Sequence, residues 1–331
     1  GLIYFSGILK PFVIAILVWF IINQLKEALG KITIKGRALP ASIRSILAFL
    51  IIFILTYLVT ELLIRNLEGI AASMPEYLSN LNEYFDEISA LLNDPKYAEH
   101  LQKGINGLNF TGVASTLVNS LSGFAANIAI VLVYVIFFLM EDSSRKLKLK
   151  SLFPKKGKEY NKFINNLGDI SHAIRSYIWQ KTAISLITGI ISYIILLFMG
   201  VEYAFLWSFL IFIFNFIPYI GPLISSLFPA IFAVLITSDL MQFVYVFAAM
   251  EGVQIILGNF VEPKMMGKGT NLGPVIVIVA LAFWGMIWGL VGMILAVPVT
   301  AVLVIILSQI PSTRYMAVLL SEKGEIAGME D

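Results

Sequence analysis

The feature that most constrains this chain is a series of helix-breaking residues set inside stretches apolar enough for lipid. Between positions 215 and 274 the sequence runs through Asn215-Phe216-Ile217-Pro218-Tyr219-Ile220-Gly221-Pro222, an apolar helical run, Gly258-Asn259-Phe260-Val261-Glu262-Pro263 and Asn271-Leu272-Gly273-Pro274. Each break frees backbone N–H and C=O groups that hydrocarbon cannot satisfy. Such breaks are tolerated only where the backbone is buried in protein or lines a wet cavity. In transporters, paired Gly- or Pro-interrupted segments are the best sequence pointer to a solute or ion site.

Composition supports the lipid setting: 59% of the 331 residues are hydrophobic and 13% charged, well outside the balance of soluble domains. The chain reads as all-α, a polytopic transmembrane helical protein with broken or re-entrant helical hairpins and an amphipathic external helical region. The absence of cysteine excludes disulfides, thiolate catalysis and cysteine-based metal sites. A start at Gly1 rather than Met reads as a trimmed N-terminus, so part of a first helix can be missing.

Five segments follow along the chain. Residues 1–63 hold N-terminal transmembrane helices, with a break expected at Lys10-Pro11 and a span of about 20 residues from Ile43 to Leu63, the length a bilayer core demands. Residues 64–127 form an external region. There Ser73-Met74-Pro75-Glu76 has the form of a capping box with a helix start, and Leu78, Leu81, Phe85, Ile88 and Leu92 make an apolar stripe of coiled-coil width. The stripe suits packing on its own protomer or on a second copy in a homo-oligomer. Residues 128–182 combine a transmembrane helix with a basic loop. Residues 183–310 form a transmembrane core of interrupted hairpins, and residues 311–331 a cytoplasmic tail. In the core, the arms Ala204 to Phe216 and Leu223 to Ile236 are short enough to form either a re-entrant hairpin or two crossings. Pro274 to Trp288 and Leu290 to Leu307 make a further pair, joined at Gly289.

Residues 141–181 carry ten Lys and Arg against four acids, whereas 64–127 carries three against seven. The positive-inside rule therefore places the basic loop and the C-terminus in the cytoplasm and 64–127 outside. Orientation and contact with anionic membrane lipids account for the basic run. No aromatic interleaving or motif supports nucleic-acid binding.

The ordered motifs, from Asn215-Phe216-Ile217-Pro218-Tyr219-Ile220-Gly221-Pro222 through Asn259-Phe260-Val261-Glu262-Pro263-Lys264-Met265-Met266-Gly267 and Leu272-Gly273-Pro274 to Gly289-Leu290-Val291-Gly292 and Ala296-Val297-Pro298, resemble the bacterial autoinducer-2 exporter family. The match covers nearly the whole chain and is densest between about residues 175 and 300. One departure is Gly273 before Pro274, where the family commonly carries histidine. The resemblance implies a protein of the bacterial or archaeal cytoplasmic (inner) membrane, with about eight spans and an oligomeric assembly. It also implies a transporter linked to autoinducer-2 export in quorum sensing, with a sodium (cation)/proton antiporter as the alternative.

From the residues themselves, an intramembrane carboxylate is a functional hypothesis by default, which singles out Glu262 and Glu251. Glu251 has Gln254 at i+3, a spacing at which the two could satisfy each other. Glu262 could pair instead with Lys264 or Lys268, or cap the next half-helix. Asn215 and Asn259 stand before prolines and either satisfy freed backbone or hold a polar ligand. Pro218, Gly221, Pro222, Pro263, Gly273, Pro274, Gly289 and Gly292 are the candidate breaks and hinges. Glu202 and Asp239 read as solvated turn residues. Partners reduce to a small polar solute, or a monovalent cation or proton, together with membrane lipids. No cofactor or metal is implied. Ser225-Ser226, His172 and His100 form no nucleophile-base arrangement, so an enzyme is not expected. An oligomeric scaffold is the remaining alternative, but a scaffold has no need to unwind backbone in lipid.

Overall fold

The computed structural model describes residues 4–31, 33–34, 37–92, 128–141, 157–237, 239–266, 272–322 and 324. The weak helix expected after Asn93-Asp94-Pro95, the core of the basic loop, Lys268 and Asn271 lie outside them, as do the side chains of the apolar stripe at Leu78 and from Leu81 to Leu92. The chain is nearly all helical. Its helices are α1 (Ser6–Gly30), α2 (Ala41–Leu92), α3 (Ile128–Glu141), α4 (Lys158–Phe198), α5 (Ala204–Phe214), α6 (Ile220–Thr237), α7 (Leu240–Ile256), α8 (Glu262–Met266), α9 (Pro274–Trp288), α10 (Leu290–Gln309) and α11 (Arg314–Leu320). A two-residue antiparallel ladder, Thr33–Ile34 with Arg37–Ala38, joins α1 to α2.

Among the described residues six helices are long and apolar enough to cross a membrane: Ser6–Gly30, Ala41–Tyr77, Ile174–Phe198, Ile220–Thr237, Leu240–Met265 and Leu290–Gln309. At about 1.5 Å rise per residue these lengths meet the ~30 Å hydrocarbon thickness. Ile128–Glu141, Ala204–Phe214 and Pro274–Trp288 are shorter apolar helices. Large exposed apolar side chains such as Phe137, Phe198 and Met286 stand where a soluble protein would expose charge, and lipid is the solvent that suits them. The protein is a multi-pass membrane protein.

Three local expectations are corrected. No hairpin forms at Lys10-Pro11, because Pro11 lies inside α1, and the helix runs on without the hydrogen bond that an N–H at this position would give to the Gly7 carbonyl. No helix begins at Ser73, because α2 runs through Pro75 to Leu92. The reason is packing: Leu63, Leu67, Ile70, Met74 and Tyr77 recur at helical spacing and are all buried in one core, which holds the helix straight through the proline. The stretch at Asn259 to Pro263 is not a turn. Leu257–Val261 is a π-helical segment that leads directly into α8. Such π-bulges recur at functional sites.

The chain falls into two compact units. One comprises Gly1–Ile54, Asn127–Ala183 and Glu262–Asp331, the other Leu55–Ala126 and Ile184–Val261. In the first, Ala15 and Ile22 of α1 pack with Ala48 of α2 and Val131 and Val135 of α3. Arg175 of α4 donates to Gln24 and forms an ion pair with Glu27 of α1. Trp284 of α9 donates its indole N–H to Thr300 Oγ1 of α10 at 3.2 Å. The second unit is built on the aromatic core of Tyr77, Trp207 and Phe232. The Tyr77 hydroxyl donates to Glu202 Oε2 at 2.5 Å, so Glu202 is held by the core side rather than merely solvated. Asp239 likewise has a structural role, accepting from the Met241 backbone N–H at 2.8 Å as the N-cap of α7.

Candidate functional site

In the first unit the decisive group is on α4. Of its described polar side chains, Tyr177 and Lys181, in this unit, and Ser185, Thr188 and Ser192, in the second, are buried, and their steps of three and four residues along the helix put them on one face. Lys181, 4% exposed, lies inside the apolar span Ile174–Phe198. Its ammonium donates to Glu262 Oε1 at 2.5 Å, with the two side chains 5% and 21% exposed. Glu262 is thus neither a bare intramembrane carboxylate nor a partner of Lys264, which is exposed. Its position follows from the π segment, which ends at Val261 and makes Glu262 the first residue of α8. An ion pair taken from water gains only if geometry and further bonds compensate the desolvation, while removing one member leaves an uncompensated charge. Beside the pair, the Tyr177 hydroxyl is buried, as is Thr182 Oγ1, and neither has a hydrogen-bond partner among the described residues.

The same unit contains the Gly273-Pro274 and Gly289 breaks. Pro274 is the first residue of α9 with Gly273 as its N-cap, the position at which a missing N–H is harmless. The Gly273 N–H donates to Leu320 O at 3.2 Å, anchoring that start to α11. Gly289 has φ +67° between α9 and α10. A Cβ on Gly292 would lie 1.9 Å from the Trp284 carbonyl oxygen.

In the second unit the Asn215 to Tyr219 turn separates α5 from α6. Asn215, 5% exposed, donates from Nδ2 to Ser185 Oγ at 2.9 Å, so its amide is spent on α4. A Cβ on Gly221 would meet the Phe214 carbonyl oxygen at 1.8 Å. Both interrupted hairpins therefore close by the same device, a glycine at the start of the second arm lying against a carbonyl at the end of the first. Ser225 and Ser226 each donate a hydroxyl hydrogen to the Pro222 carbonyl, at 2.9 and 3.0 Å, local bonds within the first turns of α6 that give these serines a structural task. Gln254 reaches Ser225 Oγ at 3.5 Å rather than serving Glu251, whose buried Oε1 has no partner among the described residues. The expected Glu251–Gln254 pair is absent. Asn259 is exposed on the π segment, and Pro218 lies in the turn.

The structure therefore binds Glu262 to a residue that sequence reasoning had counted in the basic loop. Lys181 was legible in principle, because it sits four residues after Tyr177 and four before Ser185 in an otherwise apolar helix. No group of three or more His, Cys, Asp or Glu among the described residues could hold a metal.

The comparisons with known proteins agree with this picture. The profile of the AI-2E family transporters matches residues 1–312. The Escherichia coli K12 AI-2 transport protein TqsA is 29% identical over 324 residues, covering 97% of this chain and 92% of its own. A Borreliella burgdorferi protein assigned to transport with no substrate named is 28% identical over 327 residues, 95% of this chain and 85% of its own. A Haemophilus influenzae protein of the same description is 28% identical over 322 residues, 96% and 91% of the two chains. An apolar helical chain with buried charge, helical arms closed on glycine and a family match over almost its whole length is a membrane transport protein rather than an enzyme, and it belongs to the AI-2E transporter family.

Proposed function

We propose that this transporter moves a small polar solute such as AI-2 across the cytoplasmic membrane, with residues 64–127 outside and the C-terminus inside. The observation that carries the solute over an ion is the Lys181–Glu262 pair. Its two charges cancel, so this part of the membrane span offers hydrogen-bonding groups without net charge, a setting for a polar molecule more than for a bare cation. TqsA, named for AI-2 transport, supplies the specific candidate. Gly221 and Gly292 keep each hairpin tight enough to act as a unit, and the π segment before Glu262 offers a place where helical register can change.

The second reading, cation or proton antiport, draws on a different residue. Glu251 has a buried carboxylate oxygen without a partner among the described residues, and an intramembrane carboxylate of that kind takes up a proton or a cation. A homo-oligomeric assembly accompanies either reading.

The test is flux in proteoliposomes for the wild type, Glu262→Gln and Gly221→Leu, each checked for insertion and monodispersity. Solute transport through these elements predicts that both variants insert and lose flux. Wild-type flux in both would remove the function from these two elements. A variant in which only Glu251→Gln abolishes transport, with sodium or protons as the moving species, would favour antiport.

A further inference from the structure

We propose that the phenolic hydroxyl of Tyr177, with the Lys181–Glu262 pair one turn along α4, contacts the transported solute and selects a neutral, hydroxyl-bearing molecule over an ion. The inference rests on the reading of this chain as a carrier of a small polar solute. Tyr177 is 7% exposed, and its hydroxyl has no hydrogen-bond partner among the described residues. A buried phenol placed only for packing normally finds an acceptor. Tyr77, the other buried tyrosine among the described residues, does so at Glu202. On the same face of α4, Lys181 is paired with Glu262, Ser185 accepts from Asn215, and Thr188 donates to the Ile184 carbonyl at 2.8 Å. Tyr177 stands apart from these.

Tyr177 and Lys181 are four residues apart and so share a face, which brings the Tyr177 hydroxyl to the side of α4 that carries the ion pair. The groups on offer are complementary. The ammonium has three N–H donors, one of them given to Glu262 Oε1. The carboxylate keeps further lone pairs, and the phenol both donates and accepts. A solute hydroxyl can bridge such donors and acceptors and leave the pair intact. An entering ion of either sign meets a pair whose charges already cancel, so no net charge compensates the loss of its own hydration.

The experiment uses the purified full chain and three matched probes: xylitol, its carboxylate xylonate, and the cationic 1-amino-1-deoxyxylitol, with binding read from ligand-dependent thermal stabilisation. The expected result is that xylitol binds more tightly than either charged probe. Tyr177→Phe weakens xylitol binding by about 3- to 10-fold, the worth of one hydrogen bond, while the ligand-free protein unfolds at or above the wild-type temperature because no hydrogen bond to a described residue is lost. An unchanged xylitol response in Tyr177→Phe, a charged probe that binds as tightly as xylitol, or no response to xylitol overturns the proposal. Failure of the cargo reading looks different: Tyr177-dependent xylitol binding with no AI-2 flux in proteoliposomes sinks AI-2 as solute and leaves this site standing. AI-2 flux with an unchanged KM in Tyr177→Phe sinks the site alone.

Discussion

Replacing Lys181 by methionine keeps the length and apolar stem of the side chain and deletes its charge. The partner carboxylate, 2.5 Å away and with a side chain only 21% exposed, is then left in a low-dielectric setting without a counter-ion. Breaking a buried pair in this way costs about 3–5 kcal/mol. With an unfolding entropy of about 2.1 cal/mol/K per residue, a chain of this length loses about 4–7 °C in Tm for that penalty. Glu262→Gln strands the ammonium and falls in the same range. The informative protein is Lys181→Met with Glu262→Gln, in which no charge remains buried, because a buried ion pair exchanged for neutral groups is often close to neutral in stability. The double variant should unfold within about 2 °C of the wild type, giving a coupling in the mutant cycle above about 3 kcal/mol. Thermal unfolding in detergent, followed by tryptophan fluorescence, reads all four proteins under one protocol. A double variant that loses the sum of the two single losses would refute the pairing argument. So would a Lys181→Met protein with wild-type Tm.

Gly221→Ala and Gly292→Ala push a methyl to 1.8 and 1.9 Å from a backbone carbonyl oxygen. Both should cost at least the ~1–3 kcal/mol of overpacking, while Gly252→Ala, which meets nothing within 4 Å in mid-helix, should be neutral or gain up to ~1 kcal/mol; equal behaviour in a thermal scan would dismiss the close-approach explanation. Single cysteines at Asn80 and Lys156 in this cysteine-free chain should react with an impermeant maleimide from opposite sides of the membrane, and labelling from one side would overturn the assigned orientation. Leu81→Glu with Phe85→Glu should lower the oligomer mass in detergent by light scattering, and an unchanged mass would place that apolar stripe within its own protomer.

The helices themselves were readable because apolar length and polar punctuation are properties of the sequence alone. Pro218, Pro274 and Gly289 stand where helices end or begin, whereas Gly221 and Pro222 lie inside α6, since the interruption falls at residues 215–219. Two prolines misled, for opposite reasons. Pro75 follows a helix-start signature, but the buried run from Leu63 to Tyr77 outweighs it, and that packing is a tertiary fact. Pro263 follows an apparent break that becomes a π segment, and nothing in the composition of Leu257 to Val261 separates a change of helical register from a turn. The site was half legible. Glu262, Asn215 and Gly221 stood out as residues lipid would not tolerate without cause, but their partners Lys181 and Ser185 are far away in sequence and were hidden in a basic loop and an apolar helix. Glu251 and Gln254 were read as a local pair because of their spacing. The helix instead turns Gln254 toward Ser225, a choice made by the packing of α7 on α6.

The central claim is that a neutralised polar site in this transporter carries a polar solute and not an ion. The most direct measurement is AI-2 counterflow into proteoliposomes of the wild-type chain, run with and without imposed sodium and proton gradients and with internal sodium and pH recorded together. The expected result is AI-2 accumulation against unlabelled internal AI-2, lost in Gly221→Leu, with no sodium movement coupled to it. Sodium-driven proton flux in the absence of any AI-2 movement would contradict it.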